Sequence, residues 1–348
     1  MDLVFMPKQS LTPNKLVLYT EILQNRNGVL ELYGKRKKST SHDPAEKKSD
    51  VDPLISKKFH NFEISIAAQR KIEQKITWLY HLARSRYVVT QKGKRLFNFK
   101  MAFITLTLPS SQIHPTAQIT SECLNQWLTE MKRDYNLTNY VWRLEFQANG
   151  NVHYHIATDT FLDFERVREV WNRCIAKLGY VQRYREKMSK MSFQDYFSAY
   201  SDGKPENFAK LKERYFAGKT SDWFNPPSVD VKSCTSGKSI AQYIAKYFNK
   251  KEKSGCQKNE LDNEENSFSL RLWYCSRSLS KLESIKEYLD CAPIPFKMLV
   301  SAVVNAKSIV CKYVEMVYFD IKDCSSYVKS ILYPLFRNYA NSVGYSSA

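Results

Sequence analysis

The apolar positions of this chain change period several times between residues 65 and 275, and those changes mark out its elements. Ile72, Ile76, Leu79 and Ala83 recur at helical spacing, so Ser65 to Arg86 reads as an amphipathic helix. Tyr87 to Thr90 and Leu96 to Leu108 read as strands joined by the turn Lys92-Gly93-Lys94. A helix is predicted near Thr116 to Tyr135. Two strands follow, Tyr140 to Gln147 and Asn151 to Thr158, split by Ala148-Asn149-Gly150. Next come a helix from about Asp163 to Leu178 and a polar, aromatic, helical insertion from Arg183 to Asn225. A short strand at Val229 to Lys232, a helix from about Ser236 to Lys250 and strand-like text from Phe268 to Cys275 complete the series.

The order β-α-β-β-α-β-α-β predicts an α+β fold, an antiparallel sheet with helices packed on one side. Gly34 to Lys58 is rich in Lys, Ser, Asp and Pro and reads as a loop or disordered linker, and Lys251 to Ser267 as a second polar linker. Beyond Ser280 the text is apolar and helical in flavour, so the flanks of the core are expected to be mainly helical. The predicted division is a basic N-terminal extension over 1–95, with linker 34–58 and helix 65–86, then a core over 96–280 with insertion 183–225. A C-terminal helical region over 281–348 follows. No internal repeat is present.

Hydrophobic residues make up 43% of the 348 and aromatics 14%, ample for a packed core. No apolar run reaches the roughly 18 residues of a membrane-spanning helix. Met1 to Gln9 lacks the basic stretch and apolar core of a secretory signal, so a soluble intracellular protein is expected, with no membrane partner. The net charge of +18 changes the picture more. Residues 281–348 hold eight Lys/Arg against six Asp/Glu, which leaves nearly all of the surplus in the first 280 residues. Such an excess favours polyanions, because each neutralised phosphate releases counterions. The eight cysteines include no CxxC pair, and several lie in apolar runs, so they read as small buried thiols in a reducing compartment.

Three segments carry candidate chemistry. In Phe103-Ile-Thr105-Leu-Thr107-Leu-Pro109, alternation puts both threonines on one strand face and Ile104, Leu106 and Leu108 on the other. In His153-Tyr154-His155 the two imidazoles share a face about 7 Å apart along the backbone, an arrangement that can hold a divalent ion. Glu145 lies on the preceding strand. A three-residue loop at Ala148 to Gly150 pairs Gln147 with Asn151 and sets Glu145 opposite His153. A two-residue Asn149-Gly150 turn would shift the register by one and point Glu145 away. The three-residue loop is the expectation adopted here. In the third segment, Tyr243 and Tyr247 are four apart on a predicted helix, as are Lys246 and Lys250. Phenols beside ammonium groups make a poor core surface and a good phosphate-facing one. A phenol of pKa near 10 needs such charge to act as a nucleophile. Ser236-Gly237-Lys238-Ser239 ends like a phosphate-binding loop, but Lys232 stands where the first glycine of that motif belongs, so no ATPase or helicase motor is expected.

A threonine-bearing strand, an HxH strand and a Tyr-x-x-Lys-Tyr-x-x-Lys helix, in that order, resemble the HUH endonucleases and among them the rolling-circle replication initiators. Trp142-Arg-Leu-Glu145-Phe and Leu272-Trp-Tyr-Cys-Ser276 are similar to segments of initiators from small single-stranded DNA phages. The resemblance covers about Leu96 to Ser280. It implies a metal-dependent nickase in which Glu145, His153 and His155 hold Mg²⁺ or Mn²⁺ and Tyr247 attacks the scissile phosphate. Tyr243 would serve a second transfer, and Lys246 and Lys250 would neutralise phosphate charge. The implied substrate is single-stranded or hairpin origin DNA. The implied partners are a host polymerase and helicase in a bacterial cytoplasm. Transposases and relaxases of the same superfamily, a non-catalytic nucleic-acid-binding protein and a water-using phosphoesterase are the alternatives.

Overall fold

The computed structural model describes residues 3–26, 29–32, 64–201, 207–234, 270–289, 296–301, 303–312 and 314–347. Linker 34–58, the predicted helix Ser236 to Lys250 and linker 251–267 lie outside the described residues. The chain divides into two compact units, one formed by 1–59 with 280–346 and the other chiefly by 60–279.

The second unit is built on a five-stranded antiparallel sheet. Its strands are β6 (Met101–Thr107), β7 (Tyr140–Phe146), β8 (Val152–Thr158), β9 (Val229–Cys234) and β10 (Trp273–Cys275). They lie in the order β10-β7-β8-β6-β9. The α+β class with an antiparallel sheet is therefore as predicted. One face is a core surface: Ile104, Leu106, Leu144, Tyr154 and Ile156 are all buried. Helices pack over it. A continuous helical run passes from α2 (Thr116–Gln118) through a π-helical turn (Ile119–Leu124) into α3 (Asn125–Tyr135). In α4 (Phe164–Ala176), the Asp163 side chain caps the N-terminus by accepting from the Glu165 N–H. Trp171 of α4 sets its ring edge-on against Tyr154, centroids 6.1 Å apart, and its indole N–H donates to the Thr107 carbonyl at 2.8 Å. The Tyr154 hydroxyl in turn lies 2.7 Å from Thr120 Oγ1 in the π turn.

The helix predicted at 65–86 is α1 (Ile66–Leu82), capped by Ser65, and it runs against β7. The strand predicted over 96–108 is two strands. β5 (Arg95–Phe99) pairs with β4 (Arg86–Val89) as a separate hairpin, and the chain then breaks before β6, with Asn98 at positive φ. The insertion is helical, as α5 (Tyr180–Ser189), α6 (Phe193–Tyr200) and α7 (Phe208–Thr220). These helices close over their own aromatic cluster of Tyr184, Tyr196, Tyr215 and Trp223.

The first unit corrects the expectation of mainly helical flanks. Long strands β1 (Leu3–Thr12) and β2 (Lys15–Arg26) form a hairpin, extended by β3 (Val29–Leu32). Three strands of the C-terminal region join them: β11 (Ile285–Tyr288) on β1, β13 (Val314–Tyr318) on β2, and β12 (Lys307–Cys311) on β13. Segments of four or five residues have too little length to show a period, and their partners stand about 280 residues away in the chain. Only helices Phe296–Ser301 and Ser326–Ser342, with a short turn at Ile321–Asp323, answer the helical reading of 281–348. Among the described residues, no helix is long and apolar enough to cross a membrane.

Burial holds the thiols protonated, as the reading of the cysteines requires. Desolvation pushes Cys123 up to about 12 and Cys174 to about 11.

Because Trp171 is fully buried and ties α4 to two strands, Trp171→Ala is expected to lower the unfolding free energy by about 3–5 kcal/mol. Trp171→Phe, which removes mainly the indole donor, should cost about 1–3 kcal/mol. Urea titration followed by circular dichroism separates the two, and equal costs would refute this account of the packing.

Candidate functional site

The site is the face of the sheet opposite Trp171, and one turn decides its composition. Gln147 N–H donates to the Asn151 carbonyl at 2.8 Å and Gly150 N–H to the Gln147 carbonyl at 2.9 Å, leaving Ala148, Asn149 and Gly150 as the loop. Gly150 has φ +80°, a conformation that side chains with a Cβ adopt at a cost. The register that follows pairs Glu145 with His153 and Arg143 with His155. On the other side, β8 pairs with β6, His155 with Thr105 and His153 with Thr107.

Directly opposed residues share a face, so two rows run across the sheet. One is Glu145, His153, Thr107. The other is Trp273, Arg143, His155, Thr105, Asp230. The rings of His153 and His155 have centroids 5.6 Å apart. His155 is nearly fully buried and bonded at both nitrogens: Nε2 lies 2.9 Å from Glu145 Oε2 and Nδ1 3.2 Å from Thr105 Oγ1. A carboxylate can only accept, so Nε2 carries the proton toward Glu145 and Nδ1 accepts from the threonine hydroxyl. Thr105 therefore orients the ring from one side and Glu145 from the other.

Two imidazoles and a carboxylate on one face suit a divalent ion such as Mg²⁺ or Mn²⁺. Among the described residues, however, no three His, Cys, Asp or Glu side chains already converge as a cage. The His155–Glu145 bond occupies the nitrogen that would face an ion, and binding would exchange that bond for two ligand bonds. The donor chemistry fits on those terms.

Tyr243, Lys246, Tyr247 and Lys250 lie outside the described residues. The structure adds residues that the pattern of the sequence did not single out. Gln112 accepts from Val152 N–H at 2.9 Å, donates to His114 O and Thr116 Oγ1, and its own N–H donates to Asn151 Oδ1 at 2.8 Å. Asn151 then donates to Ser110 O at 2.9 Å. This network clamps the loop after β6 onto the first residues of β8, immediately beside His153. Its members are about 40 residues apart, and no local spacing announces them. Arg143, buried beside His155, and Asp230, exposed at the end of the same row, were likewise not marked by any motif.

Residues 101–252 match the model of a family described as replication-associated protein ORF2. The matched span is a little under half of the chain. It contains the Thr105–Thr107 strand, the His153–His155 hairpin and the Tyr243–Lys250 segment. The match supports a rolling-circle replication initiator and, with it, DNA as a partner. No curated protein and no solved structure matches the chain.

If Gly150 at positive φ fixes the register, Gly150→Ala is expected to lower the unfolding free energy by about 1–2 kcal/mol. Gly150→Asn should cost less, since asparagine tolerates that region. Urea midpoints measure both, and an alanine variant as stable as the parent would remove the turn from this role.

Proposed function

We propose that this chain initiates rolling-circle replication by nicking one strand of a circular DNA through tyrosine transesterification. The observation that carries the reading is the family match over 101–252, which takes in the co-facial Glu145, His153 and His155 and the paired tyrosines in a single span.

In this reading the Tyr247 oxygen attacks the scissile phosphorus. A bond forms from the phenolic oxygen to phosphorus as the bond to the 3′ oxygen breaks. The phenol loses its proton and the departing 3′ oxygen gains one, leaving a 5′-phosphotyrosyl link and a 3′-hydroxyl. One phosphodiester replaces another, so the bond is conserved for resealing, a second transfer assigned to Tyr243. Lys246 and Lys250 stand at helical spacing from one another, and their charge offsets what develops on the phosphate oxygens. Glu145, His153 and His155 would hold a Mg²⁺ or Mn²⁺ ion, whose charge polarises the phosphate when bound. Thr105 keeps the His155 ring in plane for that task. The 3′-hydroxyl serves a host polymerase. Strand opening falls to a host helicase, since the chain lacks the first glycine of a phosphate-binding loop. The reaction belongs in the cytoplasm of a bacterial host, where replicon and polymerase meet.

A buried His155 bonded to Glu145 is also what a purely structural histidine shows, and a water-using phosphoesterase would place the same donors together. A covalent adduct separates these readings. Incubation with a random-sequence single-stranded DNA pool and Mn²⁺ should yield a protein band retarded on a denaturing gel. Tyr247→Phe should remove most of it, and Tyr247→Phe with Tyr243→Phe all of it. His153→Ala and Glu145→Ala should each reduce it about 10–100-fold. An adduct that survives the double phenylalanine variant, or cleavage with no adduct, defeats the tyrosine mechanism.

A further inference from the structure

The hairpin of β4 and β5 presents exposed aromatic surface that its own packing leaves uncovered. Tyr87, Val89 and Phe97 are 51%, 48% and 66% exposed. Val89 pairs with Arg95 across the ribbon, and residues two apart on a strand share a face, so Val89, Arg95 and Phe97 stand on one side. The Tyr87 and Phe97 rings lie 5.1 Å apart, which sets Tyr87 on that side too. The register slips between Arg86 and Val88, a bulge that turns Tyr87 toward Phe97.

Elsewhere the ribbon is tied to the body of its unit. Arg86 donates to Asp159 O at 2.7 Å, Gln91 N–H donates to Asp163 Oδ2 at 2.9 Å, and Phe99 packs edge-on against Phe161. The aromatic face is therefore held outward by bonds made on the other side.

Charge points to the occupant. From Arg84 to Lys100 the chain carries six Lys/Arg and no Asp/Glu. Lys92 pairs with Glu165, while Arg84, Lys94 and Arg95 stand exposed around the two rings. An apolar partner would have to desolvate these cations to reach Tyr87 and Phe97, whereas a polyanion with flat bases satisfies both groups at once. We propose that this ribbon face docks single-stranded DNA, with bases stacked on Tyr87 and Phe97 and phosphates beside Arg95, Lys94 and Arg84. The identity of the strand rests on the initiator reading. Asp159, where the ribbon is anchored, lies six residues along from His153, about 20 Å at the rise of a strand. The ribbon thus holds the strand away from the scissile phosphate. It contributes affinity and takes no part in the chemistry.

The test is binding of a fluorescein-labelled oligo(dT) of about 20 nucleotides to the full chain, followed by anisotropy across a salt series. Tyr87→Ala with Phe97→Ala should weaken binding about 5–100-fold, the loss expected for one stacked base or more. Tyr87→Phe and Phe97→Tyr should bind like the parent. Lys94→Ala with Arg95→Ala should flatten the slope of log K against log salt by about 1–2. Both rings are more than half exposed, so the alanine variants should unfold at the parent's midpoint, which circular dichroism checks. Parent-like oligo(dT) binding by the folded double alanine variant overturns the proposal. So does a change of sedimentation without loss of DNA binding, which would mark the face as a contact for a second copy. The two readings fail separately. Adduct formation with an unimportant ribbon sinks only this inference, and ribbon-dependent binding without any adduct sinks only the nicking mechanism.

Discussion

The constraint on which the rest depends is the parity of the β7–β8 pairing. Side chains on a strand alternate with a period of two, so a one-residue slip would exchange every inward and outward position of β8. As paired, Tyr154 and Ile156 enter the core while His153 and His155 stand on the opposite face with Glu145. A slip would drive the imidazoles beneath α4 and expose an aromatic ring that packs against Trp171. Each large apolar side chain so exposed costs about 1.5–3 kcal/mol, which weighs heavily against the slipped register. The core face and the three-residue turn therefore specify the same arrangement independently.

Polar bonds then refine what register sets coarsely. Pairing brings His155 between Arg143 and Thr105, but the hydrogen bonds to Thr105 and Glu145 decide which nitrogen holds the proton and how the ring is turned. Gln112 and Asn151 do similar work one step further out, since they fix where β8 begins relative to the loop that ends β6. Buried amides of this kind contribute only when every partner is in place. Here the clamp lies beside the histidine that a ligand would meet first, so local order at the site is coupled to folding of the loop.

The two units use similar antiparallel pairing for different ends. In the second unit, chain neighbours make most of the sheet, and β9 and β10 are added at its edges. In the first, the two ends of the chain are brought into one sheet. That arrangement brackets the core span within the sequence and ties both termini into a single folded body.

Much of this was legible from residue order. The alternation in Phe103 to Leu108, the HxH strand, the turn at Ala148 to Gly150 and the helices at 65–86, 116–135 and 163–178 are local patterns, carried by periods and turn residues that the chain states within a dozen positions. Those patterns by themselves determined the α+β class and placed Glu145 opposite His153. Three things were decided only in three dimensions. The flanks became a sheet because strands of four to twelve residues paired across almost the whole chain. The break between β5 and β6 turned one predicted strand into an anchored ribbon, through contacts to Asp159, Asp163 and Phe161 that no period encodes. The Gln112–Asn151 clamp and the Thr105–His155–Glu145 bonds arose because pairing carried distant polar groups within reach. Periodicity reports which face a residue occupies, and only the tertiary fold reports what stands opposite that face.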